Sequence, residues 1–305
     1  MGNNKMKIIL VTNKTYRGVL DGTYWYVYQP LLRLGHQVYL YDTVEPGEKD
    51  FNKVIETLKP DLIYCVLAGD TTIGQYEPWD QILKETLSGR TKTFNWFCDD
   101  TWRFDTFSKL VCHYFTVCST PERAYIEKYK EEGYDNIIVG NWHANSEFFQ
   151  PKPMSDREHF ISFIGAPNPS RADFLEHSGI LIETLYGLDQ MEMFAAYSNS
   201  QVGLNLSVNN NDPKKGTQMK QRLFEVTAGG GVLLTQYHPG IEEYYEIDEE
   251  IMTFESPEEL REKTLSLIKD PKMLENIASA GHKRFLKEHD SKIRIEKILK
   301  EIMAK

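Results

Sequence analysis

Arg222 and Glu225 stand three residues apart in MKQRLFEVTAGGGVLLT, residues 219–235. A guanidinium is a planar fork that fits phosphate oxygens. A carboxylate accepts hydrogen bonds, including those of sugar hydroxyls. On a helical wheel of about 100° per residue, Gln221, Arg222 and Glu225 share one narrow polar sector. Met219, Leu223 and Val226 lie to one side of it, and Phe224 and Ala228 lie on the far side. An Arg222–Glu225 pair on a solvated face would contribute only roughly a few tenths of a kcal/mol, and apolar residues would not flank it. The pattern points to a ligand that carries both phosphate and hydroxyl groups.

The polar loop NNNDPKKGTQ, residues 209–218, holds Asp212, Pro213, Lys214, Lys215 and Gly216 and leads into this helix. A helix amino end offers unpaired N–H groups and the positive pole of the macrodipole, which suit phosphate. Lys220 and Arg222 in the first turns oppose that pole, and a bound polyanion would resolve the conflict. A second piece is FIGAPNPSRADFL, residues 163–175. Gly165 ends a strand and lets a ligand approach the backbone. Arg171 either offers a second fork to phosphate or pairs on the surface with Asp173 or Glu176.

Asp99 and Asp100 follow a strand in NWFCDDTWRF. Adjacent strand residues point to opposite sides, so the two are not expected to grip one cation. Asp100 either caps the following helix or faces an acceptor as a base or hydroxyl-orienting group. His113 and His143 stand alone and read as structural, with His143 next to a linker. Tyr24, Trp25, Tyr26 and Tyr28 either pack in the core or line a sugar site. No metal cluster is read.

The elements that must position these residues alternate. KIILVT, QVYLYD, DLIYCVLAG, TKTFNWFCDD, HYFTVCS and NIIVGN read as strands. Between them TYWYVYQPLLRLG, DFNKVIETLK, EPWDQILKETLSG, TWRFDTFSKLV and PERAYIEKYKEEG read as helices, the last with Pro121 at its first position. NKTYRGVLDG reads as a loop. HANSEFFQPKPMSDREH fits neither pattern and reads as a linker. A second alternating series, from HFISFIG to SKIRIEKILKEIMAK, follows it. Strands alternating with helices of this length imply βαβ units and mainly parallel sheets. Two doubly wound domains are expected, over 1–144 and 159–305 with a linker at 145–158. The last helix is a candidate to pack back on the first domain. A ligand cleft is expected between their strand ends.

Composition agrees with a soluble globular protein: 305 residues, 41% hydrophobic and 26% charged. The net charge of −10 disfavours broad binding to nucleic acid or anionic membranes. Cys65, Cys98, Cys112 and Cys118 form no CxxC motif and read as free thiols in a reducing compartment. The amino terminus fits neither a secretory signal nor a myristoylation site, since Met6 stands where Ser or Thr is wanted. No apolar run is long enough for a transmembrane span. A cytoplasmic location is expected.

Several motifs carry a resemblance. FIG…SRADFL, YG, MFAAYSNSQVGLNLS, MKQRLFEVTAGGGVLLTQYHPGIEEYYE and FESPEELREK resemble the carboxyl-terminal domain of retaining glycosyltransferases of the GT-B fold. The likeness is to the group similar to spore-maturation glycosyltransferases, with a glycosyl transferases group 1 domain. NWFCDDTWRF and GNWHANSEFFQP extend it into the first half. The resemblance implies an α/β fold with two Rossmann-like domains facing a central cleft. It implies that Glu225 matches the second glutamate of an E-x7-E motif and holds the nucleotide ribose. Arg171 and Lys220 match basic positions that face the donor diphosphate, a duty Arg222 can share. Thr217 stands where the first glutamate would contact the donor sugar, and there this sequence departs. Gly165, Gly187, Gln218 and Met219 join them on the donor side, and Asp99, His143 and Trp102 on the acceptor side.

The expected activity is that of a hexosyltransferase-type glycosyltransferase. Lys220, Arg171 and Asp100 are its candidate catalytic residues. It would move a sugar from a UDP- or GDP-type donor to an unknown acceptor (a glycan, protein, lipid precursor or small molecule), with retention and without metal or cofactor. The rival readings are a nucleotide-sugar epimerase of the same fold and a catalytically silent nucleotide-sugar-binding protein.

Overall fold

The computed structural model describes residues 5–70, 73–140, 142–166, 168–208 and 216–305. Asp212, Pro213, Lys214 and Lys215 of the polar loop therefore lie outside the described residues. The chain divides into two compact units: Met1–Asn141 together with Ser291–Lys305, and Trp142–Asp290.

The first unit is built on β1 (Lys7–Thr12), β2 (Thr15–Tyr16), β3 (Val19–Leu20), β4 (Gln37–Asp42), β5 (Leu62–Cys65), β6 (Lys92–Trp96), β7 (Val117–Thr120) and β8 (Ile137–Val139). Six of these form a wholly parallel sheet in the order β4-β1-β5-β6-β7-β8. Ile8 to Val11 and Leu62 to Cys65 are buried without interruption. Continuous apolar strands of this kind belong to sheets covered on both faces. The helices obey local signals. Asp50 caps Phe51–Leu58 by accepting the N–H groups of Asn52 and Lys53. Gly89, at φ +64°, ends Trp79–Ser88. The helix Ser291–Ala304 is part of this unit.

Three local readings need correction. NKTYRGVLDG contains the antiparallel hairpin β2–β3. Arg17 and Gly18 both take positive φ, +51° and +83°, the two-residue turn that matches strand twist. An Arg-Gly pair lacks the usual Asn-Gly signature, which is why the pattern was silent. The helix after β7 starts at Tyr125, because Glu122 and Arg123 first accept turn bonds from Tyr125 and Ile126. Pro121 thus precedes the helix by several residues. TWRFDTFSKLV is helical as read, but a π-turn at Phe104–Ser108 interrupts it.

The second unit contains β9 (His159–Ile164), β10 (Glu183–Leu185), β11 (Ser200–Asn205), β12 (Val232–Gln236) and β13 (Met252–Phe254). They form a parallel sheet in the order β10-β9-β11-β12-β13. Asn168 caps the helix Pro169–Ser178. Asp189 and Glu192 form a capping box on Gln190–Ser198, satisfying two otherwise orphaned donors reciprocally. The helix Arg222–Ala228 lies against β11 and β12, and Leu223 to Ala228 are all buried. Gly203 in β11 permits that contact, since a Cβ there would collide with the side chain of Val226.

Among the described residues no helix is long and apolar enough to cross a membrane. All four cysteines are free. Burial pushes the thiols of Cys65, Cys98 and Cys118 well up and that of Cys112 to about 11. None is a ready nucleophile.

Candidate functional site

In the second unit the chain runs from β9 out to β10, then returns to pair β11 with the other side of β9. The strand order therefore reverses at β9/β11. Open parallel sheets bind ligands outside the carboxyl ends of their strands at such a point. Arg222 spans it. Its Nε donates to the carbonyl of Ile164, the last residue of β9, at 2.9 Å. Its Nη1 donates to Oδ1 of Asn205, the last residue of β11, also at 2.9 Å. Its guanidinium lies over the Phe163 ring at 4.8 Å. Gly165 makes room, because a Cβ there would stand 2.6 Å from Nη2 of Arg222.

Arg171 joins it. The Asn168 cap holds the Arg171 backbone N–H at 3.0 Å, and Nη1 of Arg171 donates to the Ala166 carbonyl at 2.9 Å. Its guanidinium sits 5.4 Å from the same Phe163 ring. Arg171 is only 3% exposed. Burial, and then the nearby charge of Arg222, lowers its pKa to about 10. Two guanidiniums on one aromatic ring, at the end of a parallel strand, create a local excess of positive charge. That arrangement favours an anion with several oxygens.

The hydroxyl of Tyr197 connects this centre to Glu225. Its ionisation is coupled to both Glu225 and Arg222: burial, followed by the Glu225 charge, pushes its pKa well up. Arg222 and Glu225 thus both act on Tyr197. Glu225 is 5% exposed.

The helix itself starts later than the periodicity implied. Residues 216–220 are not helical. Thr217 bridges Val208, and the Gln218 N–H donates to the Ser207 carbonyl. Backbone committed to those extended pairings cannot also turn. Lys220 therefore lies ahead of the first turn, and Arg222 is the first helical residue. Gln218, Met219 and Lys220 are all buried. Oγ1 of Thr217 is hydrogen-bonded to Nδ1 of His238 at 2.8 Å, so this position carries a Thr–His pair. Gly187 is exposed beyond β10, with φ +77°.

His143 belongs to this second unit. It is 1% exposed, and its carbonyl accepts from Nε2 of Gln221 at 2.6 Å. In the first unit, Asp99 precedes the short helix Asp100–Arg103 without a side-chain cap bond. Trp102 packs under the Arg103 guanidinium at 4.2 Å. Asp100 turns inward at 1% exposure and accepts from the Tyr129 hydroxyl at 2.9 Å. It is neither the cap nor an exposed base, because the helix packs its first side chain into the unit's interior. Burial raises its pKa to about 6, against the lowering effect of the Ser108, Thr120 and Tyr129 hydroxyls.

That shift has a measurable consequence. The folded-state pKa lies above the unfolded one, so the stabilising contribution is complete below about pH 4 and is lost as pH rises through 6. The difference is on the order of 3 kcal/mol. Asp100→Asn keeps an acceptor for Tyr129 but never ionises. The variant should match the wild type in urea melts at pH 3 and exceed it in stability at pH 7.5. An equal gap at both pH values would contradict a buried, titrating Asp100.

The pattern missed Phe163, Tyr197, Asn205 and His238. Only Asn205 left a signal, a polar residue ending the apolar strand of VGLNLS. Among the described residues no group of three or more His, Cys, Asp or Glu could hold a metal ion.

Comparisons with known proteins agree with this fold. The chain covers 98% of itself and 98% of a glycosyltransferase from Rickettsia africae at TM-score 0.64 and 12% identity. It covers 98% of itself and 100% of HepE from Anabaena, solved in complex with UDP-glucose, at TM-score 0.66 and 11% identity. It covers 98% of itself and 99% of sucrose-phosphate synthase from Thermosynechococcus elongatus, at TM-score 0.66 and 11% identity. No curated protein matches it in sequence. The Glycosyl transferase-like family model matches residues 131–300, more than half of the chain. With its two parallel Rossmann-like sheets, the chain has the GT-B fold and belongs to the Glycosyl transferase-like family.

Proposed function

We propose that the protein transfers a sugar from a nucleoside diphosphate sugar to a hydroxyl-bearing acceptor, with retention at the sugar carbon. The second unit holds the donor. The observation that carries this reading is Arg222 bridging the ends of β9 and β11, with Arg171 against the same Phe163 ring. HepE, which shares the fold, binds UDP-glucose, and that supports a UDP-type donor here.

The hard step is departure of the diphosphate. Arg171, Arg222 and Lys220 are set to take up the negative charge that grows on the leaving oxygen. Such prearranged charges are commonly the largest catalytic contribution. No resident metal is assigned a part. Arg222 is already oriented by two protein acceptors, so little reorganisation accompanies the reaction. Glu225 accepts from the ribose hydroxyls, with Tyr197 orienting its carboxylate. Thr217 and His238 together take the place of a donor-sugar carboxylate. The acceptor attacks from the face the diphosphate leaves, so no protein nucleophile is required.

Isothermal titration with UDP and GDP tests the donor site. Glu225→Ala should weaken the better nucleotide by roughly 10- to 100-fold, since it leaves sugar hydroxyls unpaired in a dry site. An unchanged Kd would remove Glu225 from the site. Incubation with nucleotide sugars then separates the rival activities. Slow release of diphosphate supports the transferase, and interconversion of sugars supports an epimerase.

A further inference from the structure

The first unit holds a cavity of about 690 Å³ that the donor reading does not use. It opens beside the carboxyl ends of β1 and β4. Lys14 follows β1, Tyr39 and Asp42 lie on β4, Glu45 follows it, and Tyr24 and Tyr28 come from the π-turn after the β2–β3 hairpin. Its size falls in the usual range for small-molecule sites, roughly 300–1,000 Å³.

Its chemistry is selective. The Tyr24 and Tyr28 rings lie 5.3 Å apart at 34° and form an aromatic wall. Among the described residues, the hydroxyls of Tyr24, Tyr28 and Tyr39 have no protein partner, and neither do the charged ends of Lys14 and Glu45. Oδ1 of Asp42 accepts the N–H groups of both Lys14 and Val44 at 3.0 Å, which ties the two strand ends together. Its Oδ2 has no such partner among the described residues and is left to the cavity.

An aromatic wall packs against the C–H face of a sugar ring, while carboxylate and phenol oxygens meet its hydroxyls. Two carboxylates against one ammonium make the lining net negative, which disfavours phosphorylated or uronic ligands. So many polar atoms also disfavour a lipid chain. We infer that this cavity binds the terminal sugar of a neutral glycan, which would be the acceptor. The word acceptor rests on the transferase reading above, but the binding itself does not.

The test uses the intact protein with cellotriose, maltotriose, chitotriose and, as the anionic comparator, trigalacturonate. Saturation-transfer NMR and titration should show a neutral trisaccharide bound and trigalacturonate not. Tyr28→Ala should weaken that trisaccharide at least tenfold. Tyr28→Phe, which keeps the ring, should stay within about threefold, and Asp42→Asn should weaken it at least threefold. Urea melts confirm that each variant is folded. Absence of binding by all three neutral sugars, stronger binding of trigalacturonate, or equal binding by folded Tyr28→Ala overturns the inference. UDP titration of the same samples separates the two ideas. UDP binding without trisaccharide binding sinks only this inference, and trisaccharide binding without any nucleotide binding sinks only the transferase reading.

Discussion

Replacing Arg222 by alanine should both destabilise the second unit and abolish measurable nucleotide binding. The fork holds the Ile164 carbonyl and the Asn205 Oδ1. Truncation leaves these groups without their donor in a region where Phe163, Ile164 and Asn205 are all buried. Each buried acceptor left unsatisfied costs about 1–3 kcal/mol. One term works in the opposite direction, since the like charge beside Arg171 disappears. Arg222 is only half-buried, so solvent screens that repulsion and the lost hydrogen bonds dominate. A net loss of about 3 kcal/mol corresponds to a fall of roughly 6–12 °C in Tm for a unit of this size. Arg222→Lys should recover little, because one ammonium on a flexible stem cannot reproduce a planar two-pronged contact. Calorimetry and nucleotide titration read the two effects separately. A variant with wild-type Tm and wild-type affinity would show that the bridge across β9 and β11 does neither job.

Arg171→Ala should behave differently, and the contrast is diagnostic. Arg171 makes a bond to the Ala166 carbonyl and packs on Phe163. Against those gains stand its own desolvation and the adjacent Arg222 charge, which together hold its pKa near 10. Removal gives up that bond and its other contacts but also relieves an unfavourable buried charge. The expected change in stability is therefore small, within about 1 kcal/mol. Function should suffer far more. Loss of one prearranged cation at a developing oxyanion typically lowers kcat by about 10²- to 10³-fold. Donor turnover or hydrolysis should fall by that amount with Tm nearly unchanged. A proportionate fall in both would mean that Arg171 is a packing residue. A stable variant with full turnover would remove it from the diphosphate site.

These expectations depend on information of two kinds. The alternation of strands and helices was legible because each element is written in contiguous residues. IILV and LIYC are apolar without a break, as strands covered on both faces require. The buried character of the Arg222–Ala228 helix was also legible, since its apolar residues surround a narrow polar stripe. Local reading failed where a distant backbone competed. Met219 and Lys220 have helix-like spacing, but the pairing of Thr217 and Gln218 with Val208 and Ser207 delays the helix. Asp100 sits where a cap is expected, but packing of the Asp100–Arg103 helix draws it inward to Tyr129.

Residue types alone identified Arg171, Arg222 and Glu225 as chemically capable, and a β/α order as the scaffold. What they touch was decided only by the tertiary structure. Arg222 reaches Ile164 across 58 positions and Asn205 across 17, and such distances carry no periodic signal. The order β10-β9-β11 places both contacts at the reversal of the sheet, and strand order is set by which apolar faces can be buried together. Local propensity acts within a few residues, whereas a binding site is the meeting of several strand ends and exists only once the core has closed.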